Sequence, residues 1–300
     1  MHHKIISLGE VLWDLFPEGA RFGGAPANFA CHAAALGADV TMISAVGQDA
    51  YGTEAVEILK RYGIHTDLIQ TLASAPTGTV GIELDENAKP TFTIHEGAAW
   101  DQLVWSKELE QRIQGANAIY FGTLGQRSEI SREVIRRVLD SAAALGVPRI
   151  LDVNLRAPFY NAALIRESVS KASLLKLSDD ELPEVCSACS IPMANSPESS
   201  LSELRIKFDL DLVVMTRGAE GAMLVLPNET IEQAGIPAVV RDTVGAGDSF
   251  TAAFVMGLLQ GETQAVILHD ACKLAAKVCS QVGAVPDPNP SGEKPLSDKG

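Results

Sequence analysis

Short apolar runs alternate with longer helix-patterned stretches along nearly the whole chain, and that alternation admits few folds. Residues 4–8, 40–46, 118–122, 149–153, 174–177 and 212–216 are mostly apolar, as expected of strands covered on both faces. Between them, 27–36, 51–62, 131–145 and 201–208 read as helices. Strands separated by helices need crossover connections. The expected fold class is therefore α/β, a mostly parallel sheet with helices on both faces. One region breaks the rhythm. Residues 77–84 and 91–95 are rich in β-formers and flank a polar turn at 85–90, which reads as a hairpin. With residues near 11–20 this predicts a small β lid, built from about 11–20 and 77–100, over a pocket. Residues 238–240 read as a further strand and 190–202 as a polar loop. Helices are expected over 247–259 and 263–282. A single domain would then span 1–285, with 286–300 a loose tail rich in Pro, Asp, Gly and Lys.

Composition narrows the function. The 300 residues are 46% hydrophobic and 21% charged, enough to bury one large core. A net charge of −14 argues against a nucleic-acid footprint and against an anionic membrane surface. It does not exclude a nucleotide, whose phosphates need only a few local donors. The apolar stretch 5–16 is interrupted by Gly9, Glu10 and Asp14. It is too short and polar for a signal peptide or membrane helix, so a cytoplasmic location is expected. The five cysteines include one C-x-x-C pair, Cys186 and Cys189, with no second pair to complete a zinc site. They read as buried or incidental thiols.

The chemistry concentrates in Asp242-Thr243-Val244-Gly245-Ala246-Gly247-Asp248-Ser249-Phe250. A helix is expected to start within this string. Gly245, Ala246 and Gly247 carry no bulky side chain, so backbone N–H groups can face outward at the helix N-terminus. Those unpaired donors and the helix dipole would hold a phosphoryl group whose charge grows during transfer. Asp248, in the first turn, would lie beside them as a base for a substrate hydroxyl. A lone Gly-x-Gly-Asp would favour a simple helix-capping carboxylate; the longer string is far more specific. Asp152, Asn154 and Thr216 stand at the C-terminal ends of expected parallel strands, where open α/β sheets bind ligands. Asp14 and Asn28 supply an acceptor and an amide that suit a polyol. No P-loop, dinucleotide fingerprint, nucleophile elbow or H-E-x-x-H motif is present.

The nine-residue string resembles the signature of the PfkB carbohydrate kinases, the ribokinase-like family, and the likeness runs from Gly9 to about Ala284. Phe22-Gly23-Gly24-Ala25-Pro26-Ala27-Asn28, Asp152-Val153-Asn154-Leu155-Arg156 and Thr216-Arg217-Gly218-Ala219-Glu220-Gly221 resemble further family segments in the expected order. The resemblance implies an ATP-dependent sugar kinase with Asp248 as base and Gly245, Ala246 and Gly247 as the anion cradle. It places Asp14, Gly23, Gly24, Asn28, Asn154 and Arg156 on the substrate. It places Lys176, Thr216, Gly218, Gly221, Gly245 and Gly247 on the nucleotide. Glu181 would position hydrated Mg2+, and Asp242, Val244 and Gly283 a monovalent cation such as K+. It also implies pairing of two copies through the lid. Ser178 departs from the pattern, standing where the family usually has Asn. The strings Gly9-Glu10-Val11-Leu12-Trp13-Asp14, Ala99-Trp100-Asp101 and Phe121-Gly122-Thr123-Leu124 look most like the fructokinase branch, which converts fructose to fructose 6-phosphate. A kinase for 2-keto-3-deoxygluconate, ribose or a nucleoside is the alternative, since pocket shape decides such differences. A catalytically silent sugar- or nucleotide-binding protein is the alternative of another class.

Overall fold

The computed structural model of the chain describes residues 2–84 and 90–285. Of the turn expected at 85–90, residues 85–89 lie outside the described residues, and Pro90 already begins a strand; the tail at 286–300 also lies outside them. In chain order the strands are β1 (Lys4–Leu8), β2 (Leu12–Phe16), β3 (Gly19–Gly23), β4 (Asp39–Gly47), β5 (Ile69–Leu72), β6 (Gly78–Leu84), β7 (Pro90–Ile94), β8 (Ala118–Gly122), β9 (Arg149–Asp152), β10 (Leu174–Ser178), β11 (Leu212–Thr216), β12 (Ala222–Val225) and β13 (Thr230–Gln233). The helices are α1 (Ala25–Ala35), α2 (Ala50–Arg61), α3 (Lys107–Ile113), α4 (Glu129–Ala144), α5 (Ala162–Lys171), α6 (Leu182–Ala188), α7 (Pro197–Lys207), α8 (Ala246–Gln260) and α9 (Gln264–Cys279).

Nine strands form one sheet in the order β13-β12-β11-β10-β9-β8-β1-β4-β5. From β11 to β5 every neighbouring pair is parallel; β12 and β13 add an antiparallel edge. The strands are apolar throughout because both faces are covered. In β1, Ile6 and Leu8 face one core with α4, α5, α6 and α7, while Ile5 faces a second with α1, α2, α8 and α9. The parallel arrangement has one consequence for the site. The segments after β1, β9, β10 and β11 all emerge at the same edge of the sheet.

A second sheet, β3-β2-β6-β7, stands apart from the first. β2 pairs parallel with β6 and antiparallel with β3, and β6 pairs with β7 in a hairpin. Leu12, Val80 and Ile82 pack together with Phe16 and Ile94. Asp49 anchors this sheet to the larger one. It caps α2 through the Gly52 N–H at 2.7 Å and also accepts from Thr77 N and Oγ1 at 2.8 and 2.7 Å.

The structure corrects two expectations. Residues 238–240 are not a strand: among the described residues no neighbour pairs with them, and Val239 is 82% exposed. The segment is tied down only after them, where Arg241 and Asp242 donate to the Cys279 carbonyl. Residues 190–202 are not all loop, because α7 begins at Pro197. Ser196 caps it by accepting from the Ser199 N–H, with Pro197 and Glu198 in the first turn. Cys31, Cys186, Cys189 and Cys272 are buried free thiols, and Cys279 is half-buried. Among the described residues no helix is long and apolar enough to cross a membrane.

Candidate active site

A cavity of about 470 Å³ opens between the shared edge of the large sheet and the small sheet. Leu12, Asp14 and Phe16 alternate along β2, which puts all three on one face of that strand and on the cavity wall. Val80 and Ile94 line the same side. From the large sheet come Glu10 after β1, Asp152 ending β9, Asn154 and Arg156 just beyond it, and Lys176 of β10. Helix N-termini supply the rest: Gly24, Ala25 and Asn28 from α1, and Gly245, Gly247 and Asp248 from α8.

Helix α8 starts as its sequence requires. Gly245 has φ 80°, and a Cβ there would lie 2.4 Å from the Ala284 carbonyl oxygen. Only glycine fits this left-handed, crowded position. No side chain caps the helix. The backbone N–H groups of Gly245, Gly247 and Asp248 have no acceptor among the described residues. Ala246, expected with them, instead donates to the Thr243 carbonyl at 3.3 Å and closes the turn. The result is a set of outward donors at a positive helix end.

Asp248 does not cap this helix. Its Oδ2 accepts from Asn28 Nδ2 at 2.8 Å, joining α8 to α1. Burial raises its pKa to about 6, with Asp152 adding to the rise against Asn28, Lys176 and Arg156. Asp14 is likewise lifted to about 6 by burial, against the pull of Arg156 and Arg21. Glu10 reaches about 7, again mainly through burial.

Lys176 and Asp152 face each other across β10 and β9 and form a buried ion pair, Nζ to Oδ1, at 3.0 Å. Thr251 Oγ1 donates to the other Asp152 oxygen at 3.0 Å and fixes α8 over the pair. Burial alone would pull the Lys176 pKa down, but Asp152, Glu181 and Asp248 outweigh it and hold the ammonium above its ordinary value. A Cβ on Gly247 would lie 3.2 Å from Nζ, so this charge sits directly against the first turn of α8.

The remaining sequence-derived residues lie around the cavity. Gly24 has φ 105° and lines it; Gly23 stands behind the wall, where a Cβ would lie 2.9 Å from Asp14 Oδ2. Asn154 takes a left-handed φ of 41° as the chain turns out of β9. Glu181 is off the wall. Its Oε1 accepts from Leu155 N at 2.7 Å, and its Oε2 from Ser178 N and Oγ at 2.8 and 3.0 Å. Ser178 thus holds Glu181 in place. Thr216 pairs in register with Ser178 one strand further along, and Gly218 and Gly221 follow it outside the cavity. Gly221 (φ 95°) packs so tightly that a Cβ would meet the Gln233 carbonyl at 2.0 Å. Asp242 accepts from Val244 N and Gly283 N, both at 3.1 Å, which draws these three residues together. Trp13 and Trp100 are buried packing residues, and His95 bonds to Thr79 on the small sheet. The sequence reading missed Glu10 as a wall residue, although its position just after a central parallel strand was the available signal.

A parallel sheet with helices on both faces, and an uncapped helix N-terminus beside a buried carboxylate at the strand ends, define a phosphoryl-transfer class of α/β protein. The profile of the pfkB family of carbohydrate kinases matches residues 18–291, and the chain belongs to that family, whose members transfer phosphoryl groups to an alcohol. It is 29% identical to probable fructokinase-5 of Arabidopsis thaliana, over 97% of this chain and 96% of that protein. Fructokinase with bound ATP from Xylella fastidiosa shares the fold with a TM-score of 0.84 at 21% identity, covering 95% and 96% of the two chains. Fructokinase from Vibrio cholerae O395, in a form with fructose, ADP and calcium ion bound, gives 0.80 at 25% identity, again covering 95% and 96%.

Proposed function

We propose that this carbohydrate kinase phosphorylates D-fructose with ATP to give fructose 6-phosphate. The observation that carries the reading is the Asp248 carboxylate in the cavity wall, beside the unpaired N–H groups of Gly247 and Asp248. Asp248 takes the proton of the attacking hydroxyl. The N–H groups, with Lys176 against the same turn, stabilise charge developing on the phosphoryl oxygens. Asp14, Gly24, Asn28 and Asn154 orient the sugar, with Gly23 giving Asp14 room. Arg156 offers a fork of donors to phosphate. The nucleotide extends past Lys176 to Thr216, Gly218 and Gly221.

The residues present fit a hydrated magnesium ion. Glu181 already spends lone pairs on three protein donors, which suits a contact through water better than direct ligation. When bound, Mg-ATP supplies the phosphoryl group and the charge that neutralises its oxygens. The loop joined by Asp242, Val244 and Gly283 is the proposed site for a monovalent cation. The fructose assignment draws on the relatives named above and on the carboxylates of Asp14 and Asp248, which suit a neutral polyol.

Two results are expected. Catalytic efficiency, measured as ADP release from Mg-ATP with and without potassium, is highest for fructose among fructose, ribose, 2-keto-3-deoxygluconate, glucose and adenosine. A preference for any other acceptor removes the fructose assignment and leaves the chemistry. Further, Asp248 acts only when ionised, and its pKa is about 6. kcat/KM therefore falls below that value, at least about tenfold per unit, because Asp14 in the same cavity titrates over the same range. A profile flat down to pH 5 would count against Asp248 as the base.

A further inference from the structure

Helix α1 carries a polar side chain that neither core packing nor the cavity accounts for. His32 is 2% exposed and stands in a run with Ala30, Cys31 and Ala33, all fully buried. A buried imidazole needs a hydrogen-bond partner to keep its place. Its Nε2 lies 2.9 Å from the Ala284 carbonyl oxygen, far away in the chain. A carbonyl only accepts, so Nε2 carries the proton and donates. Neither His32 nor Ala284 is on the cavity wall.

The Ala284 carbonyl is the group that crowds Gly245. Its oxygen, the Ala284 Cα and the carbonyl carbon would lie 2.4, 2.7 and 2.9 Å from a Cβ built on Gly245. Gly245 makes the left-handed turn that opens α8. The N–H groups of Gly247 and Asp248, without an acceptor among the described residues, follow within the next turn. The loop that bears Ala284 is held from two sides. Asp242, just before the turn, accepts from Gly283 N at 3.1 Å. His32 donates to the neighbouring carbonyl from α1. Asn28 stands four residues before His32, so both project from one face of α1. Asn28 in turn bonds the Asp248 carboxylate at 2.8 Å. One helix face therefore supports both parts of the machinery: the base through Asn28, and the turn that aims the N–H donors through His32 and Ala284.

We propose that His32 is a positioning residue for phosphoryl transfer: by holding the Ala284 carbonyl against Gly245, it sets the direction of the outward N–H groups of α8. The proposal rests on the kinase reading above and goes beyond it, since His32 touches neither substrate. Such donors count most where charge develops in the transition state. Shifting them lowers turnover more than binding. His32→Leu removes the donor and keeps an apolar side chain in the space. Its kcat for fructose falls at least about tenfold, since a misplacement of about 1 Å can cost ~10²-fold, while the KM values for fructose and ATP stay within about threefold. His32→Gln puts an amide nitrogen near the position of Nε2 and restores most of the turnover. His32→Asn is as polar but too short to reach the carbonyl, and it behaves like the Leu variant. All are assayed well below their melting temperatures, so a loss of stability alone leaves kcat unchanged. A kcat within about twofold of wild type in folded His32→Leu, or equal activity in the Asn and Gln variants, makes His32 a structural tie and overturns the proposal. Should His32→Leu not fold, the comparison of Asn with Gln decides. Should the wild type release no ADP with any acceptor on the panel, the kinase reading fails, and amide hydrogen exchange, which needs no turnover, decides for His32. Faster exchange confined to 243–250 and 281–285 in His32→Asn supports the role at the start of α8. A uniform change, or none, overturns it.

Discussion

Asp248→Asn is expected to lower turnover at least ~10²-fold, the lower range for loss of a general base. The substitution is nearly isosteric, and the Asn28 Nδ2 bond at 2.8 Å can still be accepted by the amide oxygen. The helix start is untouched, since Asp248 makes no cap there and the Gly245 turn is set by backbone geometry. Fold and ATP affinity should therefore survive. The loss should appear in kcat with little change in either KM, the pattern of an interaction made in the transition state. Steady-state ADP release, with a thermal melt to show that the variant is folded, checks this. Near-normal turnover would remove Asp248 from the chemistry. The acid limb near pH 6 should also become shallower in whatever activity remains, leaving the part that Asp14 contributes.

The largest effect on stability is expected at Lys176. Its side chain is 8% exposed and that of Asp152 1%, and they pair at 3.0 Å under α8. Lys176→Met leaves Asp152 as an uncompensated buried charge. Breaking one partner of such a pair costs about 3–5 kcal/mol. Thr251 alone cannot offset this, because it offers one neutral hydroxyl. Urea unfolding should show a lowered midpoint at unchanged slope, with the shift multiplied by that slope giving this free energy. The double variant Lys176→Met with Asp152→Asn should regain much of the loss, because no buried charge then stands alone. A shift below 1 kcal/mol in the single variant would mean that water reaches the pair and that the charge against α8 is not held as the structure shows.

Much of this architecture can be read from the chain because a parallel sheet writes a strong pattern. Apolar runs such as Leu212–Thr216 must be strands when both of their faces are covered. The Gly245–Asp248 turn is equally legible, since its spacing and small residues serve one geometry. What escaped depends on neighbours that are distant in sequence. Val239 and Val240 look like a strand, but among the described residues no strand lies beside them to pair with. Lys176 interrupts an apolar strand, and its burial makes sense only once the register sets it opposite Asp152. Glu10 stands in a recognisable string, yet nothing local shows that one oxygen of its buried carboxyl lacks a partner. The start of α7 is a different case. Ser196-Pro197-Glu198 is a helix-start signal that polar composition obscured.

The central question is whether this cavity transfers a phosphoryl group. The most direct test incubates the wild-type protein with Mg-ATP and D-fructose and follows ADP and sugar phosphate together. Equimolar ADP and fructose 6-phosphate, formed only when the sugar is present, is the predicted result. Binding of fructose or ATP by calorimetry, with no ADP formed from any acceptor on the panel, would contradict it and leave a silent binding protein on a kinase fold.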